Sequence, residues 1–332
     1  MTSPDSKRAL IFGISGQDGA LLARLLVKRG YEVHGTSRDH EVANFANLRR
    51  LGIFEHVRLH SASLGDYRAI IEIIAGVRPA EIYNLAAQSS VGLSFSQPVN
   101  TINSTMFGVI NVLEALRFLK LGARLYNASS GECFGNTGPQ GATEESAFHP
   151  RSPYAVGKAA AHWAVANYRD SFDLYACSGL LFNHESTLRP RRFVTRKIAA
   201  GVVDIAGSRA ERLKLGTLDI VRDWGWAEEY VAAMWLMLQQ STPADYVIAT
   251  GEPHSLREFV EEAFRCVGLD WTKHVDYDPA LSRPSDVAFS VGRPEKAHAE
   301  LGWTPRARMP DVVKRLIEEE LRLARDPPRE ER

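Results

Sequence analysis

Residues near the middle of the chain have the types and spacing for proton and hydride chemistry. The segment "RLYNASSGECFG" runs from an apolar strand pattern into Ser130 and Glu132, and "SPYAVGK" follows with Tyr154 and Lys158. Tyr154 and Lys158 stand at i and i+4, so they share one face of the helix that "SPYAVGKAAAHWAVANYRD" forms. An ammonium beside a phenol favours the phenolate, which lowers the Tyr pKa from about 10 and makes Tyr154 a base. Ser130 is expected to hydrogen-bond the same substrate oxygen and hold it for hydride transfer.

A hydride needs an acceptor, and the start of the chain carries a pattern suited to one. In "ALIFGISGQDGALLARLL", Gly13, Gly16 and Gly19 directly follow a strand pattern and sit at the mouth of a helix. Glycines there let the backbone approach a pyrophosphate, whose charge meets the free amides and the positive end of the helix dipole. Where an Asp or Glu would grip a ribose 2′-hydroxyl, the second strand ends in Thr36, Ser37 and Arg38. The missing carboxylate and Arg38 favour a 2′-phosphate, hence NADP over NAD, although Asp39 opposes that field.

Positioning these groups is the task of alternating elements. Short apolar runs ("ALIF", "YEVHGT", "VRLHS", "EIYNLA", "RLYNAS") are separated by longer helical patterns, as in βαβ units. The expected fold is α/β: a Rossmann-like doubly wound parallel sheet with a smaller mixed α/β substrate-binding lobe. Residues 1–182 form the nucleotide domain with the catalytic residues. Residues 183–332 are mainly the substrate lobe, interleaved with the last strands and helices of the first domain. In such a sheet ligands sit beyond the carboxyl ends of the strands, where Ser130 and Glu132 fall. After Asn183, "HESTLRPRRFVTRK" is basic and irregular, "RDWGWAEEYVAAMWLMLQQ" is amphipathic, and "LGWTPRARMPDVVKRLIEEELRLA" closes as a helix before the charged tail "RDPPREER", which is expected to fray.

Composition narrows the partners. The 332 residues carry 40 basic and 40 acidic side chains, so no net field draws nucleic acid or an anionic membrane, and an anionic ligand must be held locally. Cys133, Cys177 and Cys266 are far apart, which argues against a disulfide framework or a metal site and for a reducing compartment. No uncharged apolar run approaches the ~20 residues of a membrane span, and no signal-like segment opens the chain. The expected location is the cytoplasm.

Taken together, the glycine loop, Ser130 and Tyr154-x-x-x-Lys158 resemble the extended short-chain dehydrogenase/reductase family, and within it the chain is similar to the GDP-mannose 4,6-dehydratases along nearly its whole length. The matching stretches are "GISGQDGALLARLL", "EIYNLAAQSSVGLSF", "PRSPYAVGK", "GLLFNHES", "FVTRKI", "RDWGWAEEYVAAMWLMLQ" and "LGWTP". The resemblance implies a redox-neutral sequence: oxidation of the sugar at C4, loss of water across C5 and C6, and return of the hydride to C6. Glu132 is then the carboxylate that removes the C5 proton and protonates the departing C6 hydroxyl. It further implies cofactor contacts from Gln17, Asp18, Ser63, Leu85, Ala86 and Ala87, and substrate contacts from Gln88, Ser89, Asn183 and Thr195. Glu185 accepts from guanine N1 and N2, Lys197 donates to O6, and Arg222 and Arg283 clamp the diphosphate. His184 is read as a packed histidine. A homodimer or homotetramer is implied.

Three positions depart from the family pattern. Gly131 stands where relatives carry a polar residue, which is expected to loosen the strand end and to keep open a GDP-sugar epimerase or 4-ketoreductase as alternatives. Ser63 replaces an Asp at the adenine, giving a hydrogen bond without charge assistance. The loop "SRDHEVANF" lacks a second consecutive Arg, which favours the dimer over the tetramer. A non-catalytic NADP-binding regulator would have a damaged Ser/Tyr/Lys set, and here the set is whole.

Overall fold

The structure is a computed structural model that describes residues 7–281 and 284–326; Arg283 and the tail residues 327–332 lie outside the described residues. The first half builds β1 (Arg8–Phe12), β2 (Glu32–Ser37), β3 (Val57–Ser61), β4 (Glu81–Asn84), β5 (Arg124–Ala128) and β6 (Ala176–Leu181). With β10 (Tyr246–Ile248) they form a seven-stranded sheet in the order β10-β6-β5-β4-β1-β2-β3, parallel throughout. Strands β4 and β6 are buried along their whole length, as parallel strands covered on both faces must be. The order reverses between β1 and β4, and the register aligns Phe12 with Asn84 and Asn84 with Asn127. The crevice at this switch point is where a ligand fits.

Helix boundaries follow local chemistry. The Pro153–Phe172 helix starts where Ser152 Oγ accepts the Ala155 amide at 3.1 Å, with Pro153 in the first turn, and ends at Asp173 in the left-handed region. The Leu256–Arg265 helix opens with a Ser255/Glu258 capping box.

The second lobe holds β7 (Asn183–Glu185), β8 (Leu213–Leu215), β9 (Val221–Trp226), β11 (Pro253–Ser255) and β12 (Val275–Tyr277). Strand β9 lies parallel to β7 and antiparallel to β11, while β8 pairs with β12. The helices Val194–Ala206, Leu256–Arg265 and Met309–Arg325 close over Trp224, Phe259 and Phe264 as a separate core. The segment read as one amphipathic stretch divides: Val221–Trp226 is β9, and the helix begins at Ala227. Arg222 and Asp223 are buried beside Trp224, so this run has no solvent face. Strand β10, from within the second half of the chain, returns to the large sheet beside β6. None of the described helices is long and apolar enough to cross a membrane.

Candidate active site

The glycine loop is shaped by close approach. Gly13 has φ +85, and a Cβ there would lie 2.9 Å from the Ala86 backbone; one on Gly19 would lie 2.2 Å from the Gly13 carbonyl. Gly16 is less crowded and caps the Gln17–Lys28 helix without a side chain, so the helix mouth stays open to an anion. Every sequence-predicted site residue among the described ones borders a single cleft of about 1260 Å³, which runs from Arg38 and Ser63 at the ends of β2 and β3 to Lys197 and Arg222 in the second lobe. Leu85, Ala86 and Ala87 form its half-buried floor just past β4. Arg38 and Ser63 are exposed on its wall.

Gln17 and Asp18 do more than face the cleft. The Gln17 amide donates to Asp18 Oδ1 at 3.0 Å and to the His184 carbonyl at 3.3 Å, and it accepts from the Ser186 hydroxyl at 2.8 Å. His184 lies with Nε2 2.9 Å from Asp18 Oδ2 and Nδ1 2.8 Å from the Phe182 carbonyl, stacked on Tyr230. Burial opposes charge on His184, but Asp18 and the Phe182 carbonyl outweigh it and raise its pKa. Asp18 is the mirror case: burial pushes its pKa up, and His184 brings it below the ordinary value. The packed histidine is therefore also an ion-pair partner that ties the glycine loop to β7.

The chemistry-bearing residues sit at the ends of β5 and the Pro153–Phe172 helix. Ser130 Oγ accepts the Glu132 amide at 3.2 Å and starts a short 3-10 turn over Gly131–Phe134, which leaves Glu132 half-buried on the cleft. Tyr154 and Lys158 are both buried on the inner face of their helix. That helix is drawn in at Gly157, where a Cβ would meet Thr105 Oγ1 at 2.0 Å, a close approach that no motif in the sequence announces.

Two expectations change here. The pKa of the Tyr154 phenol is not lowered: burial raises it, and a hydrogen bond with Ser130 offsets only part of that rise. Lys158 does not act as the expected counterweight, because its Nζ donates to the Ala128 carbonyl at 2.6 Å and lies 5.8 Å from the Tyr154 ring centre. Burial lowers Lys158 itself to about 8. Nor does Gly131 loosen the strand end. It is buried, and a Cβ there would come within 3.0 Å of the Phe182 ring, which fills the space a side chain would take.

At the far end of the cleft, Glu185 is 2% exposed, accepts from the Thr195 hydroxyl at 2.7 Å and faces Arg189 at 2.9 Å. Lys197 donates to the Lys214 carbonyl at 2.7 Å. Arg222 is buried and its guanidinium donates to the carbonyls of Val221 and Val287 and to Asp286. Part of its hydrogen-bonding capacity is thus spent within the protein, which a pure diphosphate clamp would keep free. The Gln88 amide donates to the Ser90 carbonyl and the Thr101 hydroxyl, bracing its own loop beside exposed Ser89. Asn183 is half-buried at the start of β7.

A doubly wound sheet with Ser130, Tyr154 and Lys158 on one cleft defines an extended short-chain dehydrogenase/reductase. Among solved structures, the chain resembles the UDP-glucose 4-epimerase of Thermus thermophilus in complex with NAD (TM-score 0.83, 25% identity, 97% of this chain and 100% of that one). It also resembles RMD of Pseudomonas aeruginosa complexed with NADPH (TM-score 0.77, 21% identity, 96% and 100%). The model of the GDP-mannose 4,6 dehydratase family matches residues 10–316. GDP-mannose 4,6 dehydratase 1 of Arabidopsis thaliana is 43% identical over 96% of this chain and 91% of its own, and the Homo sapiens enzyme is 40% identical over 96% and 93%. The chain belongs to the GDP-mannose 4,6-dehydratase family.

Proposed function

We propose that the chain converts GDP-mannose to GDP-4-keto-6-deoxymannose, releasing one water with no net redox change. The observation that carries this reading is that Ser130, Glu132, Tyr154 and Lys158 border one cleft in a chain that matches the family over residues 10–316. The solved relatives above hold NAD or NADPH, and the glycine loop fits such a group, since Gly13 and Gly19 have no room for a side chain. A bound nicotinamide would take up the C4 hydride and return it to C6. Arg38, just past the end of β2, where Thr36 and Ser37 stand in place of an acid that would hold a ribose 2′-hydroxyl, supports NADP over NAD even with Asp39 beside it.

Tyr154 accepts the C4 hydroxyl proton while Ser130 holds that oxygen. Burial keeps the phenol protonated at rest, so its ionisation accompanies ligand binding, and Lys158, 5.8 Å from the ring centre, would meet the phenolate that then forms. The C4 ketone acidifies the C5 proton; Glu132 removes it and protonates the departing C6 hydroxyl, and as the hydride reaches C6 a proton from a solvent-exchangeable acid returns to C5. Glu185 and Lys197 read the guanine, with Asn183, Thr195, Arg222 and Arg283 around the rest of the nucleotide. Val156 and Trp163, exposed one heptad apart on the catalytic helix, support a homodimer built against that face. The test is mass spectrometry of GDP-mannose incubated with the protein and NADP. Loss of one water is expected; an unchanged mass, or an isomer of equal mass, overturns dehydration.

A further inference from the structure

We propose that Arg189 is a positioning residue for base recognition, holding the Glu185 carboxylate in the acceptor-only form that a guanine edge requires. The inference rests on the proposed guanine-reading role of Glu185. Guanine presents N1–H and the N2 amino group, two donors side by side, and a carboxylate meets them with two acceptors. A protonated carboxyl would instead oppose one donor with another. Glu185 must therefore stay ionised at a site where it is 2% exposed, and a buried carboxylate needs a partner.

Arg189 is built to be that partner. Its Nε lies 2.9 Å from Glu185 Oε2, one helical turn's spacing along the chain but in an irregular segment where no helix imposes the contact. Nε has no aligned hydrogen bond, so the contact is one of charge. The guanidinium is laid 3.9 Å over the Phe193 ring, which fixes its plane, and the residue borders the same cleft as Glu185 and Tyr154.

The other groups facing Glu185 do not substitute for it. Thr195 donates one hydrogen bond from the Val194–Ala206 helix. His184, the neighbour in β7, contributes positive charge, but that charge is paired with Asp18, whose own charge works against ionising Glu185. With all of these in place, burial still raises the Glu185 pKa, and Arg189 is the foremost group lowering it. Removing Arg189 shifts the carboxyl further toward the neutral form.

The experiment is calorimetric titration of GDP and, separately, NADP between pH 5.5 and 9 with wild type, Arg189→Gln, Arg189→Lys and the double variant Arg189→Gln/Glu185→Gln. In Arg189→Gln, GDP affinity should fall by about tenfold per pH unit below the raised pKa and recover as pH rises. Arg189→Lys, which keeps the charge, should follow the wild-type pH profile. The double variant should bind GDP weakly at every pH, and NADP affinity should stay within about twofold in all four. A pH-independent loss in Arg189→Gln overturns the proposal, since mere packing or direct ligand contact would produce it. So does a pH dependence that survives in the double variant, because another group would then be titrating. A wild type that binds NADP but neither GDP nor GDP-mannose overturns the functional reading itself, and this inference with it.

Discussion

Gly131 stands between Ser130 and Glu132, and replacing it with Ala tests whether the catalytic turn is held by packing against Phe182. An Ala Cβ at 131 would sit 3.0 Å from three atoms of that ring, tighter than ordinary contact. The ring has little room to retreat. On another side it abuts Gly292, where a Cβ would lie 2.7 Å from it, and Phe134 stacks against it at 6.1 Å between centroids. Its own backbone is pinned, with the amide donating to the Ile248 carbonyl at 3.0 Å and the carbonyl engaged by His184. Overpacking of this kind costs about 1–3 kcal/mol. At roughly 2 °C per kcal/mol for a chain of this size, Gly131→Ala should unfold about 2–6 °C below wild type in a calorimetric scan. Phe182→Leu makes room, so the double variant should be more stable than the sum of the two single changes by on the order of 1 kcal/mol. Turnover of GDP-mannose should fall in Gly131→Ala and partly recover in the double variant, because the Ser130 to Glu132 hydrogen bond spans the altered residue. Additive effects, or an Ala variant as stable as wild type, would refute the packing account.

Three further outcomes are expected. Glu132→Gln keeps the shape and removes the proposed base, so with GDP-mannose and NADP it should still reduce some cofactor but form the 4-keto-6-deoxy sugar at a rate lower by about 10²–10⁴; dehydration at the wild-type rate would exclude Glu132 as the base. Arg38→Ala should lower NADP affinity and leave NAD affinity little changed, and an unaltered ratio in a binding titration would remove the 2′-phosphate role. Lys158, lowered by burial to about 8, loses its charge as pH rises past that point, so kcat/KM should decline on the alkaline side. Stability moves the other way: the unfolded chain holds this proton up to about 10.4, so between about pH 8 and 10 it binds more protons than the folded one, and the Lys158 contribution to unfolding free energy rises with pH. A flat kcat/KM from pH 7 to 9.5 would count against the lysine's role.

The sequence made legible what depends on local pattern. Alternating apolar runs and helical stretches foretold the parallel sheet, and the glycine spacing and the Tyr154/Lys158 pair landed on one cleft because strand ends and helix faces are fixed by periodicities of two and 3.6. The second lobe read less well, since its strands are three to six residues long and their burial comes from distant partners. Nothing near Asn183 announces that β7 pairs with β9, about forty residues on.

What stayed hidden at the site were interactions that depend on charge and burial together. Sequence spacing placed Lys158 beside Tyr154 and implied a lowered phenol pKa, but desolvation acts on both groups and the ammonium is spent on the Ala128 carbonyl. Asp18 and His184 are 166 positions apart in the chain and neither stands out alone; together they join the mouth of the cofactor helix to the strand that carries Glu185. That strand also leads on to Arg189, the Glu185 partner that no local pattern singled out. His184 lowers the Glu185 pKa and Asp18 raises it, so the buried pair that joins the cofactor helix to β7 also shapes the field at that carboxyl. The two lobes are coupled by buried charge as well as by the sheet.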